Sequence, residues 1–162
     1  MAEGVSGIAE LMPVEPGYKH VLRVRAAFFW GAITAGAVFA DFTTLRHAPF
    51  HGLLSIAISL MAIGILAFLP QRQWRHLRYG LTDRLLQVVR GRFFHRDTIV
   101  PLVRVQHLDV SRGPVEKLFG TATLIVHTAG THNSIVTLPG LDPTRAVEIR
   151  DRIREHIRSD FG

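Results

Sequence analysis

Nine histidines and no cysteine set the terms for any chemistry in this chain of 162 residues. His47 and His51 are four apart, and His127 and His132 flank a turn at Ala129-Gly130. Either pair could offer two imidazole nitrogens to a metal, but a zinc site needs three or four protein ligands. Pro49 makes the first stretch a loop, and no third ligand is near it. Solvated or hydrogen-bonded histidine is the plainer reading of both pairs, so no metal site is expected. The missing cysteine excludes a disulfide scaffold, a thiol nucleophile, a thiol redox site and thiolate-bound metal. Gly31-Ala32-Ile33-Thr34-Ala35-Gly36 lacks the Lys-Ser/Thr of a phosphate loop and lies in an apolar run. No Gly-x-Ser-x-Gly elbow occurs. Asp41, at the end of that run, could serve a proton relay, but a carboxylate reaching the outer interface is the simpler expectation. No catalytic residue and no cofactor is expected, and the chain does not read as an enzyme.

Basic residues are the stronger feature. Arg72, Arg75 and Arg78, with Trp74 among them, form one cluster, and each such charge gains about 1 kcal/mol beside an anionic leaflet. Two readings stay open for it: fixing the orientation of the chain in a membrane, and contact with lipid head groups. Arg90, Arg92 and Arg96 surround a turn expected to be tight and centred on Gly91. That leaves no long basic loop to cradle an inositol phosphate. Strands without an aromatic stacking pattern give no reason to expect a nucleic-acid partner.

The elements that must position these residues fall into two parts. Net charge is +6, and 48% hydrophobic residues coexist with 20% charged ones. The charge is segregated: residues 1–70 carry four basic and four acidic residues, and residues 71–162 the remaining 15 and nine. This aliphatic content excludes disorder, and the scattered glycines exclude a collagen-like repeat. Ala26–Ala40 holds no charge at all, and Leu53–Leu69 is apolar except for Ser55 and Ser59, with Pro70 closing it. Neither run has the polar stripe of a surface helix. Two transmembrane helices are expected, at about 24–45 and 52–70, with Arg23 and Arg25 reaching the head groups. A buried helix pair in a soluble protein competes, but two such runs are hard to bury in so short a chain. A cleaved leader ending at Val38-Phe39-Ala40 also competes, against a preceding segment of 25 residues that carries three Glu. Small residues four apart, Gly31 with Ala35, Ala32 with Gly36, Gly36 with Ala40 and Ser55 with Ser59, would let helices approach within the hairpin or between copies.

After Tyr79-Gly80 the pattern turns to short strands. They are expected at Leu81–Arg90, Phe93–Val100, Leu102–Ser111 with a bulge near Gln106-His107, Thr121–Thr128 and Asn133–Leu138. A short helical turn at Val115–Phe119 interrupts them. Asp142 caps a last helix whose Ala146, Ile149, Ile153 and Ile157 make one apolar stripe. The order of the domain is thus a tail over 1–20, a hairpin over 21–71 and a β domain over 72–162.

Four segments carry a resemblance: Tyr79-Gly80-Leu81-Thr82-Asp83-Arg84-Leu85, Ile99-Val100-Pro101-Leu102-Val103-Arg104-Val105, Val115-Glu116-Lys117-Leu118-Phe119-Gly120, and Leu138-Pro139-Gly140-Leu141-Asp142-Pro143. Over about residues 20–160 the chain resembles the bacterial pleckstrin-homology (PH) domain membrane proteins of the YdbS-like family. Ala122 departs from it, standing where the family often has a second Gly. The resemblance implies a membrane α-helical hairpin followed by a mostly-β PH-like barrel capped by one C-terminal helix. It implies no activity. It points to a protein-interaction or assembly module whose partner is a second membrane protein with PH-like domains. An anionic-lipid-binding module and an accessory subunit of a transporter are the alternatives.

Lys and Arg favour the cytoplasmic side of a membrane. Lys19, Arg23 and Arg25 precede the first span, Arg72, Arg75 and Arg78 follow the second, and the loop between holds only Arg46. Both ends are therefore expected in the cytoplasm. Reporters fused after Gly162 and near Tyr18 should both report cytoplasm, and one within Thr43–His51 the outside. An outside signal from the C-terminal fusion would contradict this orientation.

Overall fold

The computed structural model describes residues 10–43, 52–91, 96–129 and 135–160. It divides into two compact units, Lys19–Arg72 on one hand and the residues up to Tyr18 together with Gln73 onward on the other.

The first of these is a helical hairpin. Helix α1 runs Tyr18–Thr43 and α2 runs Leu53–Arg75, 26 and 23 residues. At about 1.5 Å per residue they are roughly 39 and 35 Å long, enough for a hydrocarbon core of about 30 Å. Their apolar side chains point outward: Phe28 is 75% exposed, Phe39 70% and Leu60 65%. A helix pair inside a soluble core would bury those residues, so the soluble reading fails. Helix α2 also passes through Pro70 instead of stopping there. Proline removes one amide donor and crowds the carbonyl four residues back, but Gln71, Arg72 and Gln73 are good helix formers and carry the helix on.

The other unit contains two antiparallel sheets. One has four strands in the order β1 (Met12–Pro13), β2 (Arg78–Leu81), β3 (Leu85–Arg90) and β4 (Arg96–Pro101). The second holds β5 (Val105–Ser111), β6 (Ala122–Thr128) and β7 (Ile135–Leu141). A short helix α3 (Pro114–Leu118) precedes β6, and α4 (Pro143–Asp160) ends the described chain. This is a PH-like arrangement, seven strands and a C-terminal helix. Among the described residues no ladder closes the two sheets into a full barrel.

Several expectations are corrected here. The strand expected over Leu81–Arg90 is two, because Thr82 folds the chain back: its N–H donates to the Leu85 carbonyl at 3.0 Å, and its hydroxyl accepts from the Leu85 N–H at 3.2 Å. Leu102–Arg104 is a 3-10 turn, and the strand begins only at Val105. Arg90 and Arg96 are register partners, which puts five residues between them in place of a tight turn on Gly91. Strand β7 continues through Pro139 and Gly140. The bulge appears where the parity change required it, between Val105 and His107. Residues 12–13, expected as part of a tail, are a strand.

Helix α4 starts as its sequence demands. Asp142 Oδ1 accepts from the N–H groups of Thr144 and Arg145 at 2.8 and 3.3 Å, two donors that a helix N-terminus leaves unmet. Its stripe lies on β5, β6 and the 3-10 turn. Ala146, Ile149 and Ile153 are buried there with Leu86, Leu124 and Leu138. Ile153 is 1% exposed, and an unpaired charge in its place costs several kcal/mol. Ile153→Asp should therefore abolish the cooperative thermal transition of the domain. Arg154→Asp, one residue on and exposed, should leave it within a few degrees. Equal losses would mean that the stripe is not the buried face.

Candidate functional site

The chain enters and leaves the hairpin from adjacent strands. Met12 pairs with Tyr79 and Pro13 with Arg78, so residues on either side of the two helices share one sheet. Around this pairing the N-terminal segment is held closely. Val14 is buried, and the Glu15 N–H donates to the Gly140 carbonyl at 2.8 Å. Gly140 has φ +80, and a Cβ there would meet Tyr18 Cγ at 2.7 Å; Gly17 passes as closely against the Phe119 carbonyl. Only glycine fits such positions without strain.

Trp74 belongs to this arrangement. Its indole Nε1–H donates to the carbonyls of Val14 and Glu15, at 3.1 and 3.0 Å. The ring is half-buried and fastens the N-terminal segment. The arginines expected to act with it, Arg72, Arg75 and Arg78, are all exposed; Arg72 and Arg75 stand three apart on α2 and Arg78 opens β2.

Within the hairpin, Asp41 does not project outward. It is 3% exposed, and its Oδ2 accepts from the Ser55 N–H at 2.9 Å, in the first turn of α2. A carboxylate there meets an orphan donor and the positive end of the helix dipole. Ser55 and Ser59 hydroxyls donate to the carbonyls of Gly52 and Ser55, at 3.0 and 2.6 Å. The two serine hydroxyls of α2 are thus engaged locally. Ala37 and Ala62 are the buried small residues of the hairpin. Gly31, Gly36 and Gly64 have no atom within 4 Å of an added Cβ, so the expected glycine contacts are not made inside it. Gly31 and Ala35 instead line an apolar groove of about 740 Å³ with Trp30, Thr34, Ser59 and Ile63.

The other residues singled out in the sequence separate. His47, His51 and His132 lie outside the described residues. His127 stands opposite His107 across β5 and β6, ring centroids 5.7 Å apart. Among the described residues no three metal-ligating side chains converge. Two motif residues prove to be structural. Glu116, buried, accepts from the Gly113 N–H at 2.8 Å and the Thr123 hydroxyl at 2.9 Å, joining α3 to β6. Tyr79 hydrogen-bonds the Arg145 guanidinium of α4, and that bond, followed by the one to Glu148, holds Arg145 above its ordinary pKa.

A profile of the bacterial PH domain family matches residues 26–157, from within α1 through α2 and strands β2–β7 into α4. The chain belongs to the bacterial PH domain family. Among its relatives, the UPF0699 transmembrane protein YdbS of Bacillus subtilis (strain 168) is 34% identical over 109 residues, covering 66% of this chain and 67% of the relative. No solved structure matches the chain. The two apolar helices and these matches make the protein a membrane protein with a bacterial PH domain.

Sequence reasoning missed the structural task of Trp74 and the strand at Met12–Pro13, because their partners lie about 60 residues away along the chain. It placed Arg90 at a turn, whereas the alternation Leu86, Val88, Arg90 carries that side chain inward; an inward arginine ending an apolar series was the available signal. Trp74→Phe keeps an aromatic ring, though a smaller one, and removes the donor. It should loosen residues 14–15 by about 1 kcal/mol, seen as a roughly fivefold faster exchange of the Glu15 amide. Unchanged exchange would assign that segment's order to other contacts.

Proposed function

We propose that this protein is a non-catalytic integral membrane protein of the bacterial cell membrane, with both termini cytoplasmic. Its PH-like domain and hairpin together act as an assembly module for a second, larger membrane protein with PH-like domains. One observation carries the reading: the groove along the hairpin. It lies at the level of the spans, it is about 740 Å³, and Gly31 and Ala35 on α1 and Ser59 on α2 are among the residues that line it. Small residues four apart let a further helix approach closely, where dispersion and weak interhelical contacts drive association in lipid. The sheet pairing of Met12–Pro13 with Arg78–Tyr79 supports the orientation, because it requires the segments before and after the hairpin to lie on one side.

The test is a photo-crosslinking residue placed at Gly31 in intact membranes. The position tolerates it, since nothing stands within 4 Å of an added Cβ. The expected product is an adduct of defined mass with a membrane protein bearing PH-like domains, lost when Ala35→Leu fills the groove. Adducts with lipid alone, or with a second copy alone, would overturn this reading.

A further inference from the structure

Leu118 is 81% exposed, and among the described residues no large apolar side chain is more so; Phe28, on α1, follows at 75%. A single exposed leucine is ordinary on a protein surface. This one has apolar company on a fixed backbone. Val115 and Phe119 are half-buried beside it, and Pro114 is exposed. The turn that carries them, α3 and the residues after it, is tied down at several points. The buried Glu116 carboxylate accepts from the Gly113 N–H and the Thr123 hydroxyl. The Lys117 N–H donates to the Gly113 carbonyl and the Thr121 N–H to the Glu116 carbonyl, both at 2.9 Å. Leu118 is therefore held out by a closed turn and has no core to collapse into. Glu116 is turned inward, so the exposed charges of the turn, Arg112 and Lys117, are both positive.

The turn is also fastened to the residue that precedes the first span. Gly17 passes so closely that an added Cβ would strike the Phe119 carbonyl oxygen and stand 3.1 Å from Thr121 Cγ2. Helix α1 begins one residue later, at Tyr18. From Gly17 to Val24, where the first span is expected to begin, the helix rises roughly 10 Å at about 1.5 Å per residue. Head groups fill about 5–8 Å beyond the hydrocarbon edge, so the chain itself keeps the turn within reach of them. The segment that holds Gly17 is fastened in turn at Val14 and Glu15 by Trp74, between Arg72 and Arg75 near the end of α2. Direct contacts thus join the turn to the residues where the chain enters and leaves the spans.

We propose that the α3 turn is a membrane-contact site: Leu118 enters the head-group layer of the leaflet from which α1 starts, and Arg112 and Lys117 lie among its anionic lipids. Apolar side chains flanked by basic ones are the pattern of a segment that rests in the interface plane. Each basic residue gains about a fivefold preference for an anionic surface. The occupant is lipid because the turn continues a surface that the spans already place at the bilayer, and because its exposed charges are of the sign that such a surface attracts. The role of the closed turn is to set the depth of one leucine. This contact lies outside the hairpin groove, and the two readings stand or fall separately.

The chain holds no cysteine, so Leu118→Cys carries a single nitroxide label at a side chain the fold does not bury. Arg154→Cys, exposed on α4, is the control. The full chain is reconstituted at low density into vesicles of phosphatidylethanolamine and phosphatidylglycerol. Collision of the label with oxygen, which concentrates in lipid, is compared with collision with a water-soluble nickel chelate. The oxygen-to-nickel ratio at 118 should exceed that at 154 at least about fivefold, as for a side chain seated in the interface. In vesicles of phosphatidylcholine alone it should fall by about half, because the two charges lose their partners. Arg112→Gln together with Lys117→Gln should produce the same fall in the anionic vesicles. Equal, water-like ratios at 118 and 154 would overturn the proposal. So would a label at 118 shielded from both reagents and broadened by a second spin, which assigns the turn to a contact between copies. A ratio at 118 indifferent to lipid charge and to both substitutions would overturn the part given to Arg112 and Lys117.

Discussion

The pairing of Met12 and Pro13 with Tyr79 and Arg78 is the contact on which the rest of this protein depends. It makes the hairpin an insertion into a sheet: the first strand of the domain is synthesised before α1 and the second only after α2. Two backbone-paired residues are a weak strand by themselves. They persist because the segment that follows is fixed at separate points, by Trp74 on two carbonyls, by Glu15 on Gly140 and by the close passage of Gly17 and Tyr18. The domain therefore cannot complete its first sheet until both spans are made and both ends of the hairpin lie on one side. A single span could not meet that condition, and two can.

The same economy governs the polar groups near the membrane. Asp41 and Ser55, 14 residues apart, meet at the start of α2, where the first N–H groups of a helix have no partner within it. The carboxylate that looked like a lone charge at the edge of a span is a helix cap joining the two helices. The large side chains on the outer surface of the spans are apolar, Phe28, Phe39 and Leu60 among them, which suits lipid or another helix.

Local pattern made most of the architecture legible. The all-round apolar runs gave two spans, and the parity change at Gln106-His107 gave a bulge. Asp142 and the isoleucine stripe gave the start and the buried face of α4. Residue types failed where a distant partner decides the outcome. Nothing near Met12 and Pro13 marks a strand, because only Arg78 and Tyr79 make them one. Trp74 sits in a basic segment and reads as an interfacial aromatic, yet its indole N–H is spent on Val14 and Glu15. The small residues of the spans were expected to let helices approach, but Gly31 and Ala35 line an outer groove, whereas Ala37 and Ala62 are buried. A glycine row alone does not say which of two faces it serves. Among the basic residues, Arg90 shows the same gap, since it donates to Thr137 on the other sheet.

The absence of cysteine makes the central pairing directly testable. Pro13→Cys and Arg78→Cys place one thiol on each of two register partners, whose Cβ atoms in an antiparallel pair lie about 4.5–5.5 Å apart, close enough to be bridged with a small adjustment. Mild oxidation in intact membranes, read by mobility on a denaturing gel, should close the link within one chain. Each single-cysteine variant should show none. Thiols that stay free in the double variant, or that link only between chains, would contradict a sheet that begins before the first span and resumes after the second.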